Sequence, residues 1–369
     1  MKRIVGSIMA VLLLLALTAC AGIEKSVSDS SDGATVSATD PVMEEPVVKE
    51  AANDGRCHIG ILEYRNHGAS EETIEGFEEK FQEMMGSTEV VFERMSADGD
   101  PEQCARIATG YANSGYKLIF ACGTEAVQNA GAAVKDVPII GACVTDFLMA
   151  EVVSSLEHPG GNISGVSCMG PIDLQIQQIT DRLEWPSQVG IIASGTEVGS
   201  RFQTSIAGRC LNEKEIYWVS YNADTEDELR RQLEKAVSEC SCLYLPTDSF
   251  VSSHMDIVHD VVLQAMTDLQ KTVYVVTGDY HMCRGGGLFC YSIDYREHGR
   301  KAAEMAFAVL EEGEEISRLA VREEKAEDAQ QYYNPVTAEE MNWYNYGGMN
   351  QIIVSSGEQE EEEEQGEQD

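Results

Sequence analysis

Short apolar runs that end at a hydroxyl and an acid recur along this chain. Residues 117–125 read KLIFACGTE, and residues 242–248 read CLYLPTD. A helix-length segment, a lysine and a second apolar run follow each of them, and these second runs end at Asp146 and Asp279. Continuous apolar runs bounded by turn residues are typical of parallel strands that are buried on both faces. The pattern predicts two similar strand–helix–strand units that face each other across one cleft.

Helical periodicity fills the segments between these runs. Residues 71–85 carry apolar side chains on one face, at the spacing of an amphipathic helix. These side chains are Ile74, Phe77, Phe81 and Met84. The segment PGGN at 159–162 breaks the alternation, which then starts again. Because strands that alternate with helices indicate parallel, doubly wound sheets, we expect an α/β protein with two lobes, each built on its own parallel sheet.

The two ends of the chain lie outside this alternation. Two basic residues, an apolar run at 8–17 and the segment LTAC ending at Cys20 form the first 20 residues. The apolar run is shorter than the roughly 20 residues that span a membrane, and it fits a secretory signal. LTAC resembles the bacterial lipobox, which implies cleavage before Cys20 and lipid attachment to it. Polar residues 21–55 predict a disordered tether, and residues 351–369 predict a disordered acidic tail.

Net charge narrows the class of ligand. The formal net charge is −37, and eight acids in residues 358–369 contribute −8 of it. Nucleic-acid affinity depends on Lys and Arg side chains that neutralise phosphates, so the remaining charge argues against a nucleic-acid partner. It also argues against an anionic ligand, and it is compatible with a cationic or zwitterionic one.

Catalytic and metal-binding motifs are missing from the sequence. It has no GxSxG segment, no phosphate loop and no GxGxxG after the first predicted strand. His254 and His259 are five residues apart, so they do not share a helix face as paired metal ligands do. We therefore predict a protein that is not an enzyme and that carries no cofactor and no metal.

Eleven cysteines leave the disulfide pattern open. Without Cys20, ten remain in an exported protein, where disulfides can form. Cys122 with Cys143 and Cys283 with Cys290 are candidate pairs. The alternative is that buried free thiols act as small apolar side chains, and sequence alone does not decide connectivity.

The predicted strand ends supply the groups that an α-amino acid requires. In open α/β sheets, ligands bind outside the carboxyl ends of the strands. An acid would bind the ammonium, hydroxyl and N–H groups would bind the carboxylate, and larger side chains would form walls. Candidate ammonium acceptors are Asp146, Asp248 and Asp279. Candidate donors and walls are Tyr64, His67, Gly123, Thr124, Thr145, Phe147 and Thr247. For each acid the alternative is a helix cap or a hinge salt bridge, and we expect Glu125 to be a first-turn helix acid rather than a ligand contact.

Several longer segments resemble one known family. They are EHPGGNISGVS at 157–167, YLPTD at 244–248 and SIDYREHG at 292–299. With the segments GDP at 99–101 and VTD at 144–146, they resemble the substrate-binding proteins of ABC transporters, in a family that includes tryptophan- and tyrosine-uptake lipoproteins. The resemblance implies two Rossmann-like lobes of the type I periplasmic-binding-protein kind, joined by a hinge and closing on a small ligand.

The resemblance also implies domain boundaries and a function. We expect lobe one at 56–147 and 280–320, lobe two at 148–279, and an extension at 321–350 that packs on the outside. The protein would be a lipid-anchored, extracytoplasmic binding protein that delivers an aromatic or apolar amino acid to an ABC permease and its ATPase. The alternatives are a ligand-sensing lipoprotein that signals to a membrane partner, and a lipid-anchored hydrolase. Phe147, Gly68 and residues 279–284 depart from the family pattern.

Overall fold

Two β-sheets, each with helices on both faces, make up the computed structural model, which describes residues 48–183 and 186–353. The first sheet has the strand order β11-β5-β4-β3-β1-β2, and every neighbouring pair is parallel. Its strands are β1 (Cys57–Glu63), β2 (Val90–Ser96), β3 (Leu118–Cys122), β4 (Ile139–Val144), β5 (Ile163–Ser167) and β11 (Arg322–Glu323). We call this sheet and its helices lobe one.

The second sheet defines lobe two. Its order is β13-β12-β10-β9-β8-β6-β7, and the β10–β12 pair is antiparallel while the other pairs are parallel. Its strands are β6 (Gln188–Ala193), β7 (Tyr217–Asn222), β8 (Cys242–Leu245), β9 (Tyr274–Thr277), β10 (Phe289–Ser292), β12 (Gln330–Tyr333) and β13 (Asn350–Gln351). The predicted α/β fold with two parallel-sheet lobes is confirmed.

Helices cover both faces of each sheet. Those of lobe one are α1 (Gly68–Met85), α2 (Pro101–Asn113), α3 (Thr124–Ala133) and α10 (Tyr295–Leu310). Those of lobe two are α4 (Ile172–Arg182), α5 (Val198–Glu213), α6 (Glu226–Glu239), α7 (Ser249–Ser252), α8 (Met255–Leu269), α9 (Tyr280–Arg284) and α11 (Pro335–Glu340). Side chains of Asp100, Thr225 and Asp294 accept backbone N–H bonds at the starts of α2, α6 and α10, which satisfies donors that a helix leaves free.

Burial explains the apolar runs. All residues of β3 and of β8 are buried, as expected for central parallel strands. On one face of β3, the Phe120 ring stacks on Phe77 of α1 at a centroid distance of 3.9 Å. In lobe two, Ile191 and Tyr244 belong to the corresponding core. The carboxyl ends of both sets of strands are thereby held in fixed positions at the edge where polar residues follow.

The chain crosses between the lobes three times. The crossings lie between β5 and β6, between β10 and α10, and between β11 and β12. The first two occur later than the sequence indicated, because β5 belongs to the first sheet while α9 and β10 belong to lobe two. The predicted boundaries after residues 147 and 279 are therefore wrong. The polar, glycine-rich segment 159–162 interrupts the strand–helix alternation within lobe one, because the strand that follows it, β5, belongs to the same sheet.

The segment predicted as an outer extension is part of both lobes. Strands β11 to β13 extend the two sheets, and Trp343 stacks on Phe289 in the core of lobe two. Two-residue strands have no apolar pattern of their own, which is why the sequence did not reveal them. Ile352, placed in the predicted tail, is buried. Three predicted segments lie outside the described residues: the signal segment 1–20, most of the tether, and the tail after residue 353. In the described end of the tether, the Ala51 N–H donates a hydrogen bond to the Ser114 carbonyl at 2.9 Å.

Candidate functional site

A cleft separates the carboxyl ends of the two sheets. Its cavity has about 530 Å³ of space, counting the open mouth. Lobe one contributes polar residues from the segments after β1, β3 and β4, and lobe two contributes residues from the segments after β6 and β8. Those of lobe one are Tyr64, Arg65, His67, Ser70, Gly123, Thr124, Glu125 and Thr145. Those of lobe two are Glu197, Gly199, Ser200, Thr247, Asp248 and Ser249.

Most of the site residues predicted from the sequence line this cavity. They are Tyr64, His67, Gly123, Thr124, Thr145, Thr247 and Asp248. The structure brings them together because all of them follow strands whose carboxyl ends point to the same edge. Whether each contacts a ligand stays a prediction, since lining a cavity is not the same as binding.

Three predicted residues do not line the cavity. Phe147 is fully buried in the core of lobe one, where its ring fills the space over Gly141 and Gly165. Asp146 Oδ1 accepts the Met149 N–H at 2.8 Å, and Asp279 Oδ1 accepts the Met282 N–H at 2.9 Å. Both acids therefore act locally at the start of a turn or helix, which is the alternative that the sequence left open for them.

Asp248 lines the cavity but its oxygens are already used. Its Oδ1 accepts the Val251 N–H at 2.7 Å, and its Oδ2 accepts the Ser194 N–H at 2.6 Å. It caps the short helix α7 and ties the segments after β6 and β8 together. Burial raises its pKa, because the charged form is desolvated.

Glu197 is a cleft acid that sequence reasoning missed. It comes just before α5, and its carboxylate accepts the Ser249 hydroxyl at 2.6 Å and the Ser249 and Phe250 N–H groups at 3.1 Å each. It therefore organises the start of α7 from a distant part of the chain. Burial, followed by the charges of Asp248 and Glu125, raises the pKa of Glu197 to about 8.

Glu125 differs from the other two acids because its carboxylate has spare capacity. It lies in the first turn of α3, and its Oε1 accepts the Val198 N–H at 2.8 Å. The backbone N–H of Glu125 itself also donates to this carboxylate, and no further donor is found among residues 48–183 and 186–353. An ionised carboxylate has about four acceptor positions, so some remain unused. Burial raises the pKa of Glu125. Its expected role as a helix acid only is thus incomplete.

Two basic side chains also line the cavity. The Arg65 guanidinium carbon lies 5.9 Å from the centre of the Tyr64 ring and 5.6 Å from that of Phe250, so it is held between the lobes by cation–π contacts. His67 is half-buried; desolvation first, and then the nearby His281 and Arg65, lower its pKa to about 3. His67 is therefore a neutral hydrogen-bonding group at physiological pH.

The cleft is closed in this structure. The Glu125–Val198 bond crosses it, and the Tyr295 side chain of lobe one is hydrogen bonded to Thr247 of lobe two. A Cβ atom added to Gly199 of lobe two would be 2.5 Å from Thr145 Oγ1 of lobe one. The two lobes are therefore in direct contact around the cavity.

Thiols form the inner wall of the cavity. Cys122, Cys143 and Cys168 line it with Ala69 and Tyr295. All ten cysteines of the described residues are free. The Cys122 and Cys143 thiols are hydrogen-bonded neighbours, and that bond together with burial raises the pKa of Cys122. Thiols make this wall soft and weakly polar.

A protein-family model matches most of this chain. The model described as "ABC transporter substrate binding protein" matches residues 58–343. The chain belongs to this family. Its members are binding proteins rather than enzymes, and the substrate-binding proteins of ABC transporters are extracytoplasmic. Nowhere in 48–183 or 186–353 does this substrate-binding protein have a helix with the length and apolar content to cross a bilayer.

Three similar proteins can be compared with this substrate-binding protein. A "Tyrosine-binding protein" of Clostridioides difficile (strain R20291) is 28% identical over 275 residues, which cover 74% of this chain and 78% of the relative. The structure of an ABC domain in complex with L-Trp from Streptococcus pneumoniae aligns with a TM-score of 0.75 and 21% identity, over 81% of this chain and 100% of the other. A ligand-free, open structure of a Clostridium difficile substrate binding protein aligns with a TM-score of 0.61 and 25% identity, over 81% and 99%.

Proposed function

We propose that this chain is the substrate-binding protein of an ABC importer and that it captures an α-amino acid with an aromatic or apolar side chain. The observation that carries the proposal is the uneven use of the cleft carboxylates. Glu197 and Asp248 are occupied by protein donors, whereas Glu125 keeps acceptor positions towards the cavity. A buried anion with unused acceptor positions is favourable only when a cation such as an ammonium pairs with it.

The rest of the cavity is compatible with the other two parts of such a ligand. The Arg65 guanidinium and the hydroxyl groups of Thr124 and Thr145 line the same cavity as Glu125 and can donate to a carboxylate. The thiol wall with Tyr295 offers weakly polar surface to an apolar or aromatic side chain, since sulfur contacts aromatic rings favourably. The tyrosine-binding relative and the L-Trp complex support the same class of ligand.

Closure would then be the capture step. A ligand that contacts both lobes shifts the protein towards the closed state by as much as it binds that state more tightly than the open one. The closed form would be presented to the permease and its ATPase. Lipid attached to Cys20 would keep the protein at the membrane, because each buried CH₂ contributes about 0.8 kcal/mol.

The ligand class is tested by a thermal-shift screen of the twenty standard amino acids, followed by calorimetry. We expect L-tyrosine or L-tryptophan to give the largest stabilisation. Glu125→Gln should lower affinity by roughly 10- to 100-fold, the value of a charge-assisted hydrogen bond, whereas Asp146→Asn should not change it. No stabilisation by any amino acid would refute the proposal. Lipid anchoring is tested separately, because Cys20→Ser should release the protein from the membrane fraction.

A further inference from the structure

A histidine–carboxylate pair joins the two lobes beside the cleft. Nε2 of His281 lies 2.7 Å from Oε2 of Glu72. Glu72 is on α1 in lobe one, and His281 is on α9 in lobe two. Both side chains are largely shielded, with 17% and 31% of their surfaces exposed. The pair is therefore a direct contact between lobes in the closed form.

Each partner is fixed to its own lobe. Helix α9 is capped by Asp279, and its Tyr280 ring packs on Tyr332 of β12 at a centroid distance of 5.0 Å, so His281 moves with lobe two. Helix α1 packs along α10, so Glu72 moves with lobe one. Rotation of the lobes about the three crossings changes the separation of the two side chains, because neither partner can follow the other.

Gly68 makes room for this contact. It is the first residue of α1, and a Cβ atom there would overlap the imidazole ring of His281. Any other side chain at this position would force the histidine, and with it α9, away from α1. Gly68 and the segment around His281 both depart from the family pattern, and they contact each other in the structure.

We propose that His281, Glu72 and Gly68 form a latch that stabilises the closed cleft and so sets ligand affinity. The inference deepens the proposed function and rests on it in one respect, namely that closure accompanies ligand capture. Any interaction present only in the closed state multiplies the closing equilibrium and lowers the apparent dissociation constant by the same factor. The latch contributes to affinity without touching the ligand.

Charge makes the latch depend on pH. Histidine changes charge between about pH 5 and 8, and the ion pair with Glu72 requires the protonated ring. The other groups near His281 are Asp279 on its own helix, His67 at the start of α1, and the Tyr280 and Tyr295 rings. Because a charged imidazole is the stronger hydrogen-bond partner of a carboxylate, the latch is expected to hold more tightly at low pH than at high pH.

The chain contains a matched control. His259 on α8 and Glu340 on α11 form a pair of the same kind at 3.0 Å, with 28% and 30% exposure, but both partners are in lobe two. Glu72→Gln and Glu340→Gln remove the same charge and keep the side-chain shape. Only the first changes a contact between lobes.

The test is calorimetry with L-tyrosine or L-tryptophan at pH 5.5 and pH 8.5. We expect Glu72→Gln to weaken binding roughly 3- to 10-fold at pH 5.5 and less than about twofold at pH 8.5, with Glu340→Gln equal to wild type at both. Gly68→Ala should weaken binding at both pH values, because it displaces the histidine whatever its charge. Equal affinities of the Glu72 and Glu340 variants at pH 5.5 would overturn the latch.

Failure of the proposed function would be recognised separately. If the wild-type protein binds no amino acid, the ligand class is wrong, and the latch is then measured on the ligand-free chain by small-angle X-ray scattering. A smaller radius of gyration at pH 5.5 than at pH 8.5 in wild type and in Glu340→Gln, but not in Glu72→Gln, would support the latch. The same pH response in all three proteins would overturn it.

Discussion

Gly199→Ala should stabilise the folded state of lobe two and, at the same time, weaken ligand binding. Gly199 is the second residue of α5, where alanine is the better helix former by up to about 1 kcal/mol. In the closed cleft, however, the new Cβ atom would be 2.5 Å from Thr145 Oγ1 and 3.4 Å from Thr124 Oγ1. These contacts come from the opposite lobe, so they matter only when the cleft closes.

The size of the effect follows from the packing. Adding one methyl group to a filled site costs about 1–3 kcal/mol, because neighbouring atoms must move. Thr145 is buried and its backbone N–H is bonded to Thr124 Oγ1, which restricts that movement. If the whole cost falls on the closed state, affinity decreases by roughly 5- to 150-fold.

The assay combines calorimetry with thermal melts of the ligand-free protein. We expect Gly199→Ala to melt at or above the wild-type temperature while its affinity for L-tyrosine or L-tryptophan falls. Gly161→Ala is the control, since a Cβ atom at Gly161 meets nothing within 4 Å. If Gly199→Ala bound the ligand as tightly as wild type, the lobes would not approach each other as closely as in this closed structure. If the variant melted at a lower temperature than wild type, the clash would lie within lobe two.

Two further predictions concern protons and thiols. Glu197 titrates near pH 8 in the folded protein and near 4.5 when unfolded, so the folded state holds an extra proton between these values and stability falls as the pH rises. His67, whose pKa is lowered on folding, makes stability rise with pH, but only below the ordinary histidine pKa of 6.5. The melting temperature should therefore fall from pH 6.5 to 8 in wild type and fall less in Glu197→Gln. Equal slopes in the two proteins would contradict the raised pKa of Glu197. Because all ten described cysteines are free, a reductant such as dithiothreitol should leave the melting temperature unchanged, and a drop of several degrees would reveal a disulfide.

Much of the fold follows from local patterns. The apolar runs at β3 and β8, the amphipathic face of α1 and the strand–helix alternation each depend on residues that are close in sequence, and they predicted strands, helices and two parallel sheets. The same logic predicted that residues following strand ends would gather at one cleft. Seven of the ten predicted site residues do so, because strand direction brings them to that edge. Asp146, Phe147 and Asp279 also follow strand ends, but local hydrogen bonds and core packing keep them out of the cavity.

Long-range packing determines which polar groups in the cleft remain free to bind a ligand. The sequence cannot distinguish a carboxylate that caps a helix from one that faces a ligand, since both follow strands. The Asp248 carboxylate accepts hydrogen bonds from Ser194 and Val251. The Glu197 carboxylate accepts them from Ser249 and Phe250, which are 52 and 53 residues away from it along the chain. Only the packing of these segments leaves Glu125 with unused acceptor positions.

The boundaries of the lobes and the contacts between them also required the fold. Short strands such as β11 join a sheet because a neighbour offers unpaired backbone groups, and no local pattern records that. Gly68 and His281 are far apart in sequence and become partners only when both lobes pack around the cleft. Local sequence patterns specify the elements and the edge at which function lies. Long-range hydrogen bonds and steric fit specify the site, because they depend on residues that the chain brings together from both lobes.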